Sequence, residues 1–199
     1  MPKRTKEQAA ETRDTLLRAA RELFSNQGFA NTSLAAVVAA AGTTKGALFH
    51  YFSSKEVLFL EVWTALQVEM DAAARQAAVA ARSRSDPYAA FLAGCRVYLE
   101  WATRPDYQTV VLIDGPSVLG MARWHELDFQ LGMDNMTRGA AYLAGQGLLP
   151  EASIRPAAVL LQAALNGAGF ALASSYRDVT AEELFATFEQ ILRGLKHSA

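Results

Sequence analysis

The 199-residue sequence contains very few of the residues that build disulfide scaffolds or metal clusters, with one cysteine and three histidines. The single cysteine, Cys95, excludes an internal disulfide, and a chain of this length can bury a core without disulfides or metals. Because Cys95 lies in a stretch with Phe91, Leu92 and Tyr98, we interpret it as a small core residue, with a redox switch or metal ligand as the alternative. We predict no cofactor and no metal site.

Catalytic motifs are also missing from the sequence. It has no G-x-S-x-G, no H-E-x-x-H and no glycine-rich loop of the kind that cradles phosphates. No stretch alternates convincingly with period two, which argues against strands, and no internal repeat is present. These absences argue against an enzyme and favour an all-α protein of about nine helices.

Net charge is almost absent, at −1, but the charges are unevenly distributed. Residues 1–56 hold eight Lys or Arg against five Asp or Glu, a balance of +3, whereas residues 57–199 hold eleven against fifteen, a balance of −4. Phosphate binding depends on local charge, because each neutralised phosphate releases counterions near its contact. The amino-terminal segment therefore remains a candidate for nucleic-acid binding, with a solvated basic terminus as the alternative.

Long apolar runs are limited to one, residues 156–173, which approaches the length of a membrane span. Gln162, Asn166 and two glycines within it argue against spanning, and its all-round apolar character is typical of a helix buried at a subunit interface. The amino terminus lacks the apolar segment of a secretory signal. We therefore predict a cytoplasmic protein without a membrane partner.

Residues 32–55, TSLAAVVAAAGTTKGALFHYFSSK, carry the most specific pattern in the chain. Ser33 can cap a helix whose apolar stripe includes Leu34 and Val37, and Gly42 can supply the left-handed backbone of a tight turn. A second helix over about 44–51 turns Leu48 and Phe52 inward and leaves a small, polar and basic side outward. Periodicity alone fits either a DNA-reading unit or an ordinary helical hairpin of a bundle.

The segment from Thr12 to Lys55 resembles the DNA-binding domain of the TetR family of transcriptional regulators. The resemblance rests on the amphipathic first helix, the Thr32-Ser33 entry, the Ala41-Gly42 turn and the run KGALFHYF at 45–52. It implies a three-helix helix-turn-helix DNA-binding domain at 1–56 and a larger helical ligand-binding and dimerisation domain at 57–199. The implied function is a sequence-specific regulator, a homodimeric repressor released from double-stranded operator DNA by a small, largely apolar ligand; a helical adaptor that binds protein partners is the alternative.

The resemblance also implies DNA contacts. Residues predicted to face base edges are Lys45, Gly46, Ala47 and His50, and those predicted to hold phosphates are Tyr51 and Lys55. Hydroxyls and free N–H groups at helix starts suit phosphate oxygens, which adds Ser33, Thr43 and Thr44. Phe49 stands where the family often has tyrosine; its ring can pack on sugar or a methyl group, but the hydroxyl contact is lost.

The helical layout follows from caps and breakers. The first helix spans about 12–27 and stops at Gly28, and a Ser53–Glu56 capping box starts a long fourth helix. Asp86 and Pro87 begin a fifth helix over 88–103, a sixth covers 107–113, and 114–116 breaks the chain. Further helices are predicted over 121–144 and 155–175 and from Thr180, where Thr180 and Glu183 form a second capping box.

Dimerisation through the last two helices is predicted from their apolar and small side chains. The candidates are Ala164, Gly167, Ala168 and Ala171 on the eighth helix and Leu184, Phe185, Phe188, Ile191, Leu192 and Leu195 on the ninth. The alternative is that both helices only close the subunit's own core.

Large aromatics are abundant after residue 57, and together with a few polar groups they suggest a mainly apolar cavity for a hydrophobic or aromatic effector. Each aromatic could instead pack between helices. The predicted ligand-binding set is Trp63, Tyr98, Trp101, Tyr107, Trp124, His125, Phe129, Asn166 and Phe170, and Gln162 is a further polar candidate.

Overall fold

The computed structural model describes residues 6–174 and 178–195, and no strand occurs within them. The all-helical prediction is confirmed. The helices are α1 Lys6–Asn31, α2 Leu34–Ala40, α3 Lys45–Tyr51, α4 Lys55–Ala80, α5 Ala89–Ala102, α6 Pro105–Tyr107, α7 Gly115–Leu119, α8 Met121–Gly145, α9 Ile154–Ala173 and α10 Ala181–Gly194. A π-helical segment, Gln108–Asp114, joins α6 to α7, and a 3₁₀ turn, Glu151–Ser153, precedes α9.

The helices form two compact units, and neither is a continuous stretch of chain. The first unit runs to Leu66 and also contains Pro105–Met121, and the second comprises Gln67–Arg104 and the chain from Ala122 onward. The chain thus passes from one unit to the other three times, once within α4. The predicted functional boundary between residues 56 and 57 stays a prediction.

The core of the first unit is built from the apolar faces of α1 to α4. Leu16, Ala20 and Phe24 of α1 are fully buried, as their spacing predicts. The Phe24 ring packs edge-on against Phe59 of α4, with ring centroids 5.4 Å apart. Burying one such phenyl ring stabilises a fold by about 1.5–3 kcal/mol. Other buried members of this core are Val37, Leu48, Phe52, Leu58 and Val62.

The backbone at the carboxyl end of α1 and directly after it, which we call the Gly28–Thr32 junction, is held by side chains from distant parts of the first unit. Gly28 interrupts the helical path with φ 77° and ψ 169°. The next amide, the N–H of Phe29, donates to Asp114 Oδ2 at 2.6 Å. A Cβ on Gly28 would lie 3.3 Å from the same carboxylate oxygen, and the positive φ would be strained for any L side chain.

Lys55 binds the carbonyl side of this junction. Its Nζ donates to the carbonyl oxygens of Phe29 at 2.7 Å and Thr32 at 2.8 Å, and it lies 4.0 Å from the centroid of the Phe29 ring. Thr32, a buried residue, donates its hydroxyl back to the Gly28 carbonyl at 2.8 Å. The polar groups that the turn removes from the helical ladder are thereby satisfied, as burial requires.

Two local predictions about helix ends are wrong. Ser54, not Ser53, caps α4, because its Oγ accepts from Val57 N at 3.2 Å and α4 begins one residue later than the predicted box allows. The chain also does not break at 114–116: it stays helical through Gly115, and Pro116 sits in the first turn of α7, where a missing N–H costs nothing. The break lies at Gly120, with φ 79°.

The second unit packs α5 against α9 and α10. Its buried side chains include Cys95, Leu99, Leu161, Phe185 and Leu192. Cys95 is only 1% exposed, and burial raises the pKa of its thiol, so the interpretation as a core residue is confirmed. The capping box of α10 is present as predicted, because Thr180 and Glu183 bond each other's backbone amides.

By length and composition alone, one helical stretch of the described chain, Glu151–Ala173, is apolar enough to cross a membrane. The residues that α9 buries within the second unit include Ala158, Leu161 and Leu165 on one face. Burial of one face against α5 and α10 is the behaviour of a core helix.

The contacts of Lys55 predict a stability effect. We expect Lys55→Met to lower the free energy of unfolding by about 1–3 kcal/mol, because two carbonyls would lose their charged donor while the side chain keeps its length. Urea denaturation followed by circular dichroism measures the change. Lys45→Met is the matched control, since Lys45 is exposed on α3 and its change should stay within about 0.5 kcal/mol. Equal stability of the two variants would contradict the assigned role of Lys55.

Candidate functional sites

The α2–turn–α3 segment has the local geometry that its sequence predicts. Ser33 caps α2 by accepting from Ala36 N at 3.1 Å, and Val37 is buried. Gly42 follows α2 with φ 59°, a left-handed conformation that lets the amides of Gly42 and Thr43 bond carbonyls of the last turn of α2. The turn brings the chain directly to Thr44, which caps α3 by accepting from Ala47 N at 3.1 Å.

Helix α3 has one buried side and one exposed side. Leu48 on α3 and Phe52 directly after it are at most 1% exposed, so they anchor the helix in the core of the first unit. The opposite side carries the residues predicted to contact DNA: Lys45, Gly46, Phe49 and His50 are exposed, and Ala47 and Tyr51 are half-buried. The structure thus brings the predicted base-reading set together on one side of one short helix.

Gly46 has no packing role inside the described part of the first unit. A Cβ at this position would meet only Thr44 Oγ1, at 4.0 Å. Glycine inside a helix is less favourable than alanine by about 1 kcal/mol, and no internal close contact explains its presence here. An absent side chain on the exposed side of α3 suits the close approach of an external partner.

The candidate phosphate ligands differ in how free they are. Ser33 and Thr44 use their hydroxyl oxygens to accept from the helix backbone, which leaves each O–H able to donate to a phosphate oxygen. Tyr51 packs edge-on against His50, with ring centroids 4.8 Å apart. Lys55 donates to two carbonyls of the Gly28–Thr32 junction, which uses two of its three N–H donors and gives it a structural role. Its contact with a phosphate stays a prediction.

A cavity of about 1030 Å³ lies in the second unit, large enough for a drug-sized molecule. The second half of α4, the 82–87 loop, α5, α8 and α9 line it. Its wall includes several small residues: Ala74, Ala78, Ala90, Gly94, Gly132 and Gly139.

Of the nine residues predicted to bind ligand, only Tyr98 lines this cavity. Asn166 lies next to it and donates to the cavity-lining Asp128 at 2.5 Å. The remaining seven do not line it, and their ligand-binding role stays a prediction. Trp63 and Tyr107 are buried in the first unit, Trp124 is buried against Phe170, Trp101 stacks on Arg104, His125 is exposed and Phe129 is half-buried. Most of the predicted aromatics thus pack away from the cavity, although Phe91, Tyr98 and Tyr142 are part of its wall.

A buried polar cluster at the cavity includes two residues absent from the predicted set, Asp128 and Gln67. Asp128, only 6% exposed, accepts from Gln67 Nε2 at 2.9 Å through one carboxylate oxygen. Its other oxygen accepts from Asn166 Nδ2 at 2.5 Å and from Gln162 Nε2 at 3.3 Å. Burial raises the pKa of Asp128, and the three amide donors oppose that rise. The sequence signal was an aspartate in phase with Trp124 and Leu131 on the inward side of α8.

The exposed apolar side chains of the last two helices also bear on the predicted dimer. On α9, Leu160 is 69% exposed and is followed on the same side by the exposed Ala164 and Gly167. Ile191 on α10 and Leu195 directly after it are 55% and 40% exposed. We call these five residues the α9–α10 face. The prediction that Phe185, Phe188 and Leu192 belong to the same surface is wrong, because they are buried in the subunit's own core.

Comparison with known proteins agrees with this geometry. Residues 16–62 match the family model described as bacterial regulatory proteins, tetR family, and residues 88–195 match that of the tetracyclin repressor-like C-terminal domain. A TetR-family transcriptional regulator from Pectobacterium atrosepticum is 33% identical, with a TM-score of 0.82, over 98% of this chain and 99% of that one.

Two curated relatives match over about a third of this chain and of their own length. The transcriptional regulator AcrR of Shigella flexneri is 46% identical over 63 residues, which is 32% of this chain and 29% of that protein. The regulator TtgR of Pseudomonas putida is 39% identical over 75 residues, 38% of this chain and 36% of that protein. With a capped α2–turn–α3 segment, an exposed side of α3 and both family domains matched, this chain belongs to the TetR family of DNA-binding transcriptional regulators.

Proposed function

We propose that the protein is a homodimeric repressor that leaves its operator when a small, largely apolar ligand occupies the cavity of the second unit. The observation that carries the proposal is the asymmetry of α3, whose Leu48 is buried while Lys45, Gly46 and His50 are exposed. A helix anchored on one side and open on the other can enter a major groove without disturbing the unit that holds it.

The chemistry of the open side suits base edges and phosphates. Lysine can donate to guanine O6 and N7, and the Ala47 methyl can contact a thymine methyl. Gly46 leaves room for the groove wall, and the hydroxyls of Ser33 and Thr44 lie at helix starts, where free amides also favour phosphate oxygens. Gly46, Ser33 and Thr44 would thus position α3 along the DNA, while Lys45 and His50 discriminate between base sequences.

One α3 covers only a few base pairs, so affinity requires two copies that meet successive major-groove faces about 34–36 Å apart. The α9–α10 face can provide the contact. Leu160 and Ile191 are large apolar side chains left exposed, and Ala164 and Gly167 let another helix approach closely. Two helices from each subunit would form a four-helix interface.

Helix α4 is a covalent connection between the candidate ligand site and the DNA-reading end. Its second half contributes Gln67, Met70 and Asp71 to the cavity wall, and its first residue, Lys55, binds the carbonyls that precede α2. A ligand that binds better to one position of α4 shifts the population toward the state with that position. A nearly complete switch needs about 5.5 kcal/mol of differential affinity.

The DNA contacts predict a loss of operator affinity. We expect Lys45→Ala to weaken binding by about tenfold or more and to relax preference at one base position, because a good base pair contact discriminates by about 1–3 kcal/mol. His50→Ala should act in the same way, and Tyr51→Phe should weaken binding uniformly across sequences. The measurement is fluorescence anisotropy on an operator selected from a random-sequence DNA pool, at two salt concentrations.

Arg123→Ala is the control for the DNA prediction, since Arg123 is an exposed basic residue of α8 in the second unit. Its affinity and salt dependence should match those of the unmodified protein. Unchanged affinity and salt dependence in all three α3 variants would rule out the docking proposed here.

The interface predicts that Leu160→Glu produces monomers. A carboxylate at the centre of an apolar contact is expected to raise the dimer dissociation constant by at least about 100-fold. Sedimentation velocity over a concentration series measures it. Val68→Glu introduces the same group at another exposed apolar position, on α4, and should leave the dimer intact. A Leu160→Glu variant that still sediments as a dimer would place the interface elsewhere.

A further inference from the structure

Asp128 is a buried carboxylate whose hydrogen-bond donors are three neutral side-chain amides. Gln67, Gln162 and Asn166 donate to it, and among the residues that the structure describes no lysine or arginine pairs with it. His125, an exposed residue one turn earlier on α8, acts on it only through its charge. Three N–H groups aimed at two oxygens is the arrangement that suits the ionised, acceptor-only form of a carboxylate.

Two glycines allow side chains of the cluster around Asp128 to pack closely against the neighbouring helices. A Cβ at Gly132 would lie 2.8 Å from Gln162 Oε1, and a Cβ at Gly169 would lie 2.5 Å from the Tyr98 hydroxyl, both closer than side chains tolerate. Glycine at these positions lets Gln162 approach α8 and lets Tyr98 approach α9. Several elements are therefore adapted to bring amide and hydroxyl groups to one end of the cavity.

The other charged side chains of the cavity wall are paired or exposed to solvent. Asp71 is paired with Arg75 at 2.5 Å and also accepts from Asn135. The arginines of the wall are exposed: Arg75, Arg82, Arg84 and Arg138. Exposed cations are screened by water, whereas a charge–charge attraction at a buried carboxylate is several times stronger. Asp86, also on the wall, is paired with Arg193 at 2.8 Å. Among the three carboxylates of the described wall, Asp128 is therefore the one that is buried and has no lysine or arginine partner.

We infer that the cavity recognises an apolar or aromatic ligand that carries a cationic nitrogen, and that Asp128 binds this nitrogen. A carboxylate offers about four acceptor sites, of which the three amides use three, so an ammonium N–H has one to occupy. The ring of Tyr98, whose hydroxyl lies 3.4 Å from Asn166 Oδ1 in the same cluster, can interact favourably with the same cation. The inference rests on the proposed role of the cavity as the effector site and specifies the chemical class of the effector.

Three pyrene probes that differ only in their head group test the inference: pyrenebutylamine, pyrenebutanol and pyrenebutyrate. Near neutral pH they are a cation, a neutral molecule and an anion on the same aromatic body, and pyrene fluorescence reports binding to the full-length protein. We expect the amine to bind at least about tenfold more tightly than the alcohol, as a charge-assisted hydrogen bond allows, with the butyrate weakest. Equal binding of the amine and the alcohol, tighter binding of the butyrate, or no binding of the amine would overturn the inference.

The variant Asp128→Asn keeps the shape of the side chain and removes its charge. It should reduce the ratio of amine to alcohol affinity to near one, whereas Asp134→Asn, the matched change at an exposed carboxylate of α8 that does not line the cavity, should leave the ratio unchanged. Thermal unfolding verifies that both variants fold, and the comparison of probes on the unmodified protein stands without them. An unchanged ratio in folded Asp128→Asn would contradict the role of Asp128.

Release of operator DNA is measured separately with the same probes. An amine that binds through Asp128 but leaves the protein on its operator would contradict the proposed release by ligand while the inference about the cation stands. Release by all three probes at equal concentration would support release by ligand and contradict the inference about the cation.

Discussion

The backbone of Phe29 is bound from both sides by charged side chains, and the geometry of the DNA-reading end depends on this arrangement. Asp114 accepts its N–H and Lys55 donates to its carbonyl. Lys55 also binds the carbonyl of Thr32, the residue directly before the cap of α2. Charge-assisted bonds of this kind contribute about 1.5–3 kcal/mol each. They fix where α2 begins, and the turn at Gly42 then fixes the direction of α3.

Much of the fold follows from local pattern because burial leaves a periodic trace. The apolar stripe on α1 and the Thr180–Glu183 capping box are both confirmed. Each is formed by residues that are close to one another in the sequence. The partner of Phe29, by contrast, lies 85 residues away, and nothing in its own stretch identifies Asp114 as an acceptor for that amide. A one-residue difference, between Ser53 and Ser54, also escapes pattern, since both are good capping residues.

The candidate cavity was harder to predict for a physical reason. Sequence draws attention to large aromatics, and most of the predicted ones fill space between helices; the wall of the cavity also contains alanines, which leave space open. Such a wall makes fewer dispersion contacts than larger side chains would, which lowers the stability of the second unit. A bound ligand recovers part of that stability in proportion to its affinity and concentration. The same composition that weakens the core thus makes it responsive to a small molecule.

The three passages of the chain between the units limit how freely regulators of this design can exchange parts. An amino-terminal fragment that ends at Leu66 would lack residues 105–121 of the first unit. It would therefore lack Asp106, which pairs with Arg21 of α1, and Asp114. Recombination that transplants only the amino-terminal helices onto another sensor would leave the amide of Phe29 without its acceptor. Exchange of the two segments together, or substitutions on the open side of α3, would keep these contacts.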